Sequence, residues 1–152
     1  MATLAGHPIH PMLIPFPIGL WVFSLISDVV FQFGLGGPLW NDMAFYTMAA
    51  GVAGALVAAV PGYLDFRMIT EPRVIRVAKA HLTINLSIVV LYIVNLLLRQ
   101  GSGPGAVFPV LLSILGVALL GVSGWLGGEL VFVHGVGSQA SREQARSSRR
   151  AA

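Results

Sequence analysis

The stretch AHLTINLSIVVLYIVN, from Ala80 to Asn95, decides the fold. At 100° per residue, a helix through it brings four polar side chains within about 80° of one another. These are His81, Asn85, Tyr92 and Asn95. Polar side chains are costly in lipid and less so where they face other helices. We therefore predict that this polar stripe faces the interior of a helical bundle and that other apolar segments surround it.

The composition of the whole chain is that of a membrane protein. Of its 152 residues, 56% are hydrophobic and 10% are charged, whereas soluble domains carry about 25% charged residues. Four segments have the length of about 20 residues that a helix needs to cross the bilayer core. They span residues 12–33, 43–66, 78–98 and 107–133. We predict an all-α, integral membrane four-helix bundle over residues 1–137 and a basic, disordered tail over 138–152.

The basic residues indicate how the bundle is oriented. With four spans, the N-terminus, the connection between the second and third segments and the tail share one side, which holds every Lys and Arg except Arg99. The positive-inside rule then predicts that both termini are cytoplasmic. Asp28 lies about 16 Å along the first helix when counted from Pro17, near the middle of the bilayer. A carboxylate at that depth must be protonated or paired.

All four histidines fall at the predicted cytoplasmic end. His7 and His10 lie among prolines that predict an extended strap before the first helix, His81 begins the third helix and His134 ends the fourth. Two carboxylates lie near the same end, Asp65 and Glu129, although Glu129 points about 140° away from His134 on an α-helix. The candidate cofactor ligands are His81, His134, His10 and His7, and the candidate metal ligands are the same four with Asp65 and Glu129.

Several kinds of centre are compatible with these ligands. The chain has no cysteine, so a metal must be held by nitrogen or oxygen, and imidazole with carboxylate suits haem iron, non-haem iron, copper or zinc. His81 and His134 are the pair expected for a bis-histidine haem b, which indicates electron transfer. A non-haem site would recruit the carboxylates and the His-Pro-Ile-His strap. Histidines at helix ends are also common as interfacial residues with no ligand.

Two other functional classes stay open on the residues alone. One is a structural or accessory subunit of a larger membrane complex, in which the stripe and the small-residue faces only pack. The other is a small transporter or channel that uses Asp28 and the stripe. The basic tail favours anionic lipid over nucleic acid as a partner.

Four motifs together resemble a bacterial four-helix inner-membrane family of unknown function. They are HPIHP (7–11), VPGYLDF (60–66), AHLTINL (80–86) and GWLGGELVFVHG (124–135). Some members are fused to Rieske-type iron–sulfur domains, and the resemblance therefore implies redox work in the bacterial inner (plasma) membrane. It also implies roles for the six candidate ligands. Our leading hypothesis is a multi-pass membrane redox protein that exchanges electrons with quinone or with an iron–sulfur or cytochrome subunit, as an oligomer or within a complex.

Overall fold

The computed structural model describes residues 2–5 and 7–137, which are almost entirely helical. The helices are α1 Ile9–Leu13, α2 Pro15–Gln32, α3 Pro38–Phe66, α4 Pro72–Gly101 and α5 Val107–Gly128, and α5 continues as a π-helix over Glu129–Val133. Two short strands, β1 Thr3–Leu4 and β2 His7–Pro8, pair antiparallel before α1. The predicted tail at 138–152 lies outside the described residues.

Four helical stretches are long and apolar enough to cross a membrane: Ile9–Gln32, Pro38–Phe66, Pro72–Gly101 and Val107–Val133. The predicted all-α membrane bundle is therefore confirmed. Large apolar side chains such as Phe16, Leu86 and Val107 are exposed over its outside, where they contact the lipid bilayer.

Proline and glycine determine where the helices begin. Pro38 and Pro72 occupy first-turn positions, where a missing N–H costs nothing because it has no partner inside the helix. Gly37 precedes Pro38 with a φ of 69°, a left-handed conformation that favours glycine. The side chain of Glu71 caps α4 by accepting a hydrogen bond of 2.7 Å from the backbone N–H of Val74.

The long helices form a closed ring of neighbours. Helix α2 packs on α3, α3 on α4, α4 on α5, and α5 returns to α2, while α1 packs against α3. Short connections make successive helices antiparallel. Helices α2 and α4 are consequently diagonal to each other, and side chains that reach across the bundle axis join them.

The predicted polar stripe faces the interior of this ring. Tyr92 and Asn95 are fully buried and His81 and Asn85 are half-buried, which confirms the prediction. The ring of Tyr92 stacks on that of Trp21 from α2, with centroids 4.4 Å apart and planes 11° from parallel. The core of the bundle is thus built around the middle of the stretch that first indicated the fold.

The predicted extended strap is wrong for His10, which lies in α1. Pro11 does not prevent this helix, because it stands in the first turn, where backbone N–H groups have no intrahelical partner. His7 does lie in extended backbone, in β2, where it pairs with Leu4 and is exposed. The two histidines of the motif therefore occupy different elements.

Candidate functional site

Three layers of side chains cross the bundle between the α1–α2 stretch and α4. His10 and His81 lie in the first layer, where they bond to α3 and α5, Trp21 and Tyr92 stack in the second, and Asp28 and Arg99 pair in the third. We call the end of the bundle at the first layer the histidine end and the end at the third layer the arginine end. The first and third layers carry the chemistry, and they differ in how their polar groups are satisfied.

A backbone carbonyl of α3 determines the tautomer of His10. The Nδ1 atom of His10 lies 2.8 Å from the carbonyl oxygen of Ala58. A carbonyl oxygen only accepts hydrogen bonds, so Nδ1 carries the proton and donates it. In the neutral ring, Nε2 then holds an unshared electron pair. This atom has no hydrogen-bond partner among the described residues.

A backbone carbonyl of α5 acts on His81 in the same way. Its Nδ1 atom donates to the carbonyl oxygen of Ser123 at 2.9 Å, and the Ser123 hydroxyl lies 3.2 Å from the same nitrogen. The amide of Asn85 donates to that hydroxyl oxygen and to the His81 carbonyl, each at 2.7 Å. These bonds hold the ring in one orientation and again leave Nε2 without a partner in residues 2–5 and 7–137.

Each imidazole lies against a glycine of the neighbouring helix. A Cβ atom at Gly62 would come within 2.7 Å of Cε1 and Nδ1 of His10, and one at Gly127 within 3.2 Å of Cε1 of His81. Real Cβ atoms essentially never approach as closely as the first distance. Glycine at these two positions therefore makes room for the rings.

The remaining candidate ligands lie in other contacts. Asp65 accepts a hydrogen bond of 2.7 Å from the backbone N–H of Ala2 and so secures the start of the described chain. The Nε2 atom of His134 lies 3.6 Å from Oε1 of Glu129. The expected 140° separation of these two side chains is wrong, because Glu129–Val133 is a π-helix. Its i to i+5 bonding joins the His134 N–H to the Glu129 carbonyl and stacks the two residues.

The predicted six-residue ligand cluster does not form in the described part of the chain, where no three His, Asp or Glu side chains gather to hold a metal ion. Hydropathy indicates the depth of each ligand and not the order of helices around the bundle. The predicted pairing of His81 with His134 depended on depth alone. His134 instead pairs with Glu129, and the Nδ1 atom of His81 bonds to the Ser123 carbonyl of α5.

The arginine end holds a buried ion pair. Arg99 donates to both carboxylate oxygens of Asp28, at 2.8 Å and 2.5 Å, and from Nε to Oδ1 of Asn95 at 3.1 Å. Ser113 accepts from Arg99 and from Asn95. Asp28 stands one helical turn before the end of α2, so its predicted place near the middle of the bilayer is wrong. The ordered helix begins earlier than Pro17, which moves Asp28 toward the far end.

The hydroxyl of Tyr92, in the second layer, differs from the hydrogen-bonded polar groups of the arginine end. It is buried and has no hydrogen-bond partner in the part of the chain that the structure describes. A Cβ atom at Gly116 would lie 2.7 Å from it, so the hydroxyl occupies the space that this glycine leaves free.

Comparison with known sequences places the chain in a family. The sequence model of a family described as "Predicted membrane protein (DUF2231)" matches residues 6–140. The chain belongs to this family. The predicted resemblance to a membrane family of unknown function is thereby confirmed. No curated protein and no solved structure matches the chain.

Sequence reasoning missed three residues of the histidine end of this DUF2231 protein. They are Gly62, Ser123 and Gly127, for which the sequence predicts only helix packing. A serine one turn from a glycine in an otherwise apolar segment is a weak signal, since serine can also bond to its own helix. Only the position of the His81 ring shows what these residues do.

Proposed function

We propose that this DUF2231 protein is a membrane redox protein in which His10 and His81 hold haem b iron as its two axial ligands. One observation carries the proposal: two imidazoles from diagonal helices each donate Nδ1–H to a backbone carbonyl and leave Nε2 open. Metal-bound histidines almost always donate their second ring N–H to a carbonyl, a carboxylate or water. Both rings are therefore already in the tautomer of a metal ligand.

The donor set favours haem over the other metals. A haem supplies four nitrogens of its own and requires two axial ligands, which is the number of open imidazole nitrogens here. Zinc, copper or non-haem iron needs more protein ligands, typically three or four, and the described residues gather no third His, Asp or Glu at this place. For those metals, further ligands would have to come from solvent or from a partner subunit.

The chain supplies position and orientation to such a centre. The carbonyls of Ala58 and Ser123 hold the imidazoles, and Gly62 and Gly127 leave room for the rings. When bound, haem iron gains or loses one electron without any bond being made or broken in the chain. An electron partner that reaches this centre would be quinone or an iron–sulfur or cytochrome subunit. The positive-inside rule places the histidine end on the cytoplasmic side of the bacterial inner membrane.

The structure bears differently on the two alternatives, a transporter and an accessory subunit. The Asp28 carboxylate is paired with Arg99, so the transporter hypothesis loses the unpaired buried charge on which it was based. An accessory role, with no cofactor of its own, predicts that the open Nε2 atoms never meet a metal. That difference is measurable.

The test is an absorption spectrum of the detergent-purified protein, oxidised and then reduced, with iron, copper and zinc analysis of the same sample. We expect a Soret band and about one haem iron per chain. His10→Ala and His81→Ala should each remove most of the band. His7→Ala and His134→Ala are the matched controls and should retain it. Circular dichroism and gel filtration confirm that each variant is folded.

Two results would overturn the proposal. A haem band that survives in the doubly substituted His10→Ala, His81→Ala protein would place the cofactor elsewhere. A folded wild-type protein with neither haem nor stoichiometric metal, after expression with added haem precursor, would leave the accessory-subunit hypothesis in its place.

A further inference from the structure

We propose that the arginine end contains a second binding site, which takes the ring of a membrane quinol or quinone. Its relevance to electron transfer rests on the proposed function, but the binding itself does not. The site is a cavity of about 140 Å³ bounded by the end of α2, the start of α3, the end of α4 and the connection over 102–106. A cavity of about 150 Å³ in another protein holds one benzene molecule. The space therefore fits a single six-membered ring.

The walls of this cavity suit a ring with polar substituents. Phe31, Phe45 and Tyr46 contribute aromatic surface, which packs against the faces of a flat ring. Asn41 and Ser102 contribute amide and hydroxyl groups, which can bond to oxygen atoms at its edge. Aromatic surface combined with amide and hydroxyl groups is what a flat ring with polar substituents needs.

The charges around the cavity favour a neutral ligand. Asp28 and Arg99 form part of the wall, but each neutralises the other. Asp42, also in the wall, is exposed and has no ion pair in the described stretches of the chain. The site is therefore negative overall, which opposes the binding of a phosphate or a carboxylate. A phenolic hydroxyl can instead donate to the Asp42 carboxylate.

The surroundings of the cavity suit a molecule with an apolar tail. Phe33, Tyr46 and Phe108 lie at this end of the bundle with 77%, 69% and 61% of their surfaces exposed. Exposed aromatic side chains at a helix end face the interface and the outer part of the bilayer. A ligand whose ring lies in the cavity can therefore extend its chain into lipid. A quinol combines such a ring with such a chain.

The test uses the full-length protein in lipid nanodiscs and measures the Kd of decylubiquinol and of decylubiquinone by calorimetry, with empty nanodiscs as the reference. The cavity-filling variant is Ala106→Leu, at a residue of the cavity wall. Its matched control is Ala118→Leu, on the exposed surface of α5. We expect Ala106→Leu to weaken binding of both compounds by about tenfold or more and Ala118→Leu to leave it unchanged.

A second variant examines the polar contact and does not alter the shape of the site. Asp42→Asn replaces the charged acceptor of a phenolic hydroxyl with a weaker, neutral amide oxygen and should weaken the quinol more than the quinone, which has no hydroxyl to donate. Three results would overturn the inference. They are an equal loss of affinity for the two compounds in Asp42→Asn, wild-type affinity in Ala106→Leu, and heats of binding to the wild-type protein no larger than those of empty nanodiscs.

The two proposals fail separately. Saturable quinol binding by a protein without haem contradicts only the proposed function. A haem-loaded protein that does not bind either compound contradicts only the quinol site. The His81→Ala variant should lose haem and still bind decylubiquinol, because residue 81 is at the opposite end of the bundle from the cavity.

Discussion

The two ends of the bundle satisfy their polar side chains in opposite ways. At the arginine end, the carboxylate of Asp28, the guanidinium of Arg99 and the amide of Asn95 bond to one another and to Ser113. At the histidine end, His10 and His81 each use one nitrogen on a backbone carbonyl, and the other nitrogen has no partner among the described residues. The first arrangement is complete within the chain, whereas the second has unused ligand capacity on both rings.

This difference separates structural groups from functional ones better than residue type does. A buried carboxylate in a membrane helix is a functional candidate by default, yet Asp28 holds two helices together. Histidines at helix ends are often unremarkable, yet two of these have the bonding that precedes metal ligation. Free ring nitrogens, and not the presence of charge, indicate where a metal would bind.

The largest expected effect is at the arginine end. Arg99→Met keeps the aliphatic stem and leaves Asp28 buried without its counter-ion, which costs about 3–5 kcal/mol of unfolding free energy in comparable buried pairs. The double variant Asp28→Leu, Arg99→Met removes both charges and should recover most of the loss. His134→Ala breaks the more exposed pair with Glu129 and should cost at most about 1 kcal/mol. Reversible unfolding in mixed micelles measures all three, and a double variant as unstable as the single one would contradict the prediction.

A smaller effect is expected where glycine faces an imidazole. Gly62→Ala brings a Cβ atom within 2.7 Å of the His10 ring, and relieving such overpacking typically costs about 1–3 kcal/mol. The displaced ring should also bind less haem if the proposed function holds. Gly121→Ala is the matched control, since a Cβ there meets no atom within 4 Å. It should be neutral or stabilising by up to about 1 kcal/mol. Equal free energies of unfolding and equal Soret absorbance for Gly62→Ala and Gly121→Ala would contradict this prediction.

A third effect, of opposite sign, is expected in the middle layer. Tyr92→Phe removes a buried hydroxyl that has no partner among the described residues. Since such a group loses its hydration without compensation, the variant should gain stability, by about 1 kcal/mol. The same micelle unfolding measures it. A loss of stability would indicate instead that a buried water bonds the hydroxyl to a neighbour.

The smallest effect is at the cap of α4. The N–H of Val74 donates to the Glu71 carboxylate and lowers the pKa of Glu71. Because the folded-state pKa lies below the unfolded value of about 4.3, the cap stabilises the fold above that pH and loses this contribution as the pH falls through the folded-state pKa. Glu71→Gln should therefore unfold at a lower temperature than wild type at pH 7, and the gap should close as the pH falls through the lowered pKa of Glu71. A gap that does not change with pH would contradict this origin.

Hydropathy and periodicity predict the helices and the buried stripe, because both depend on local composition and on the angle between successive residues. They do not predict the partner of His81, because helix order around a bundle depends on packing between segments. They also miss the contact of Glu129 with His134, since the π-helix arises from backbone bonding that an α-helical count does not contain. The sequence also does not predict that His10 lies in α1. Proline is expected to break a helix, but Pro11 stands in the first turn, where it is tolerated.

The diagonal layers have a consequence for how the protein is made. Asp28 and Arg99 are 71 residues apart in the chain, so α4 has not entered the membrane when the first two long helices leave the ribosome. The α2–α3 hairpin is therefore in the membrane before Asp28 has its counter-ion. Arg99 reaches Asp28 only when α4 has inserted. The ion pair can therefore form only late in assembly, when α4 has inserted to its full depth.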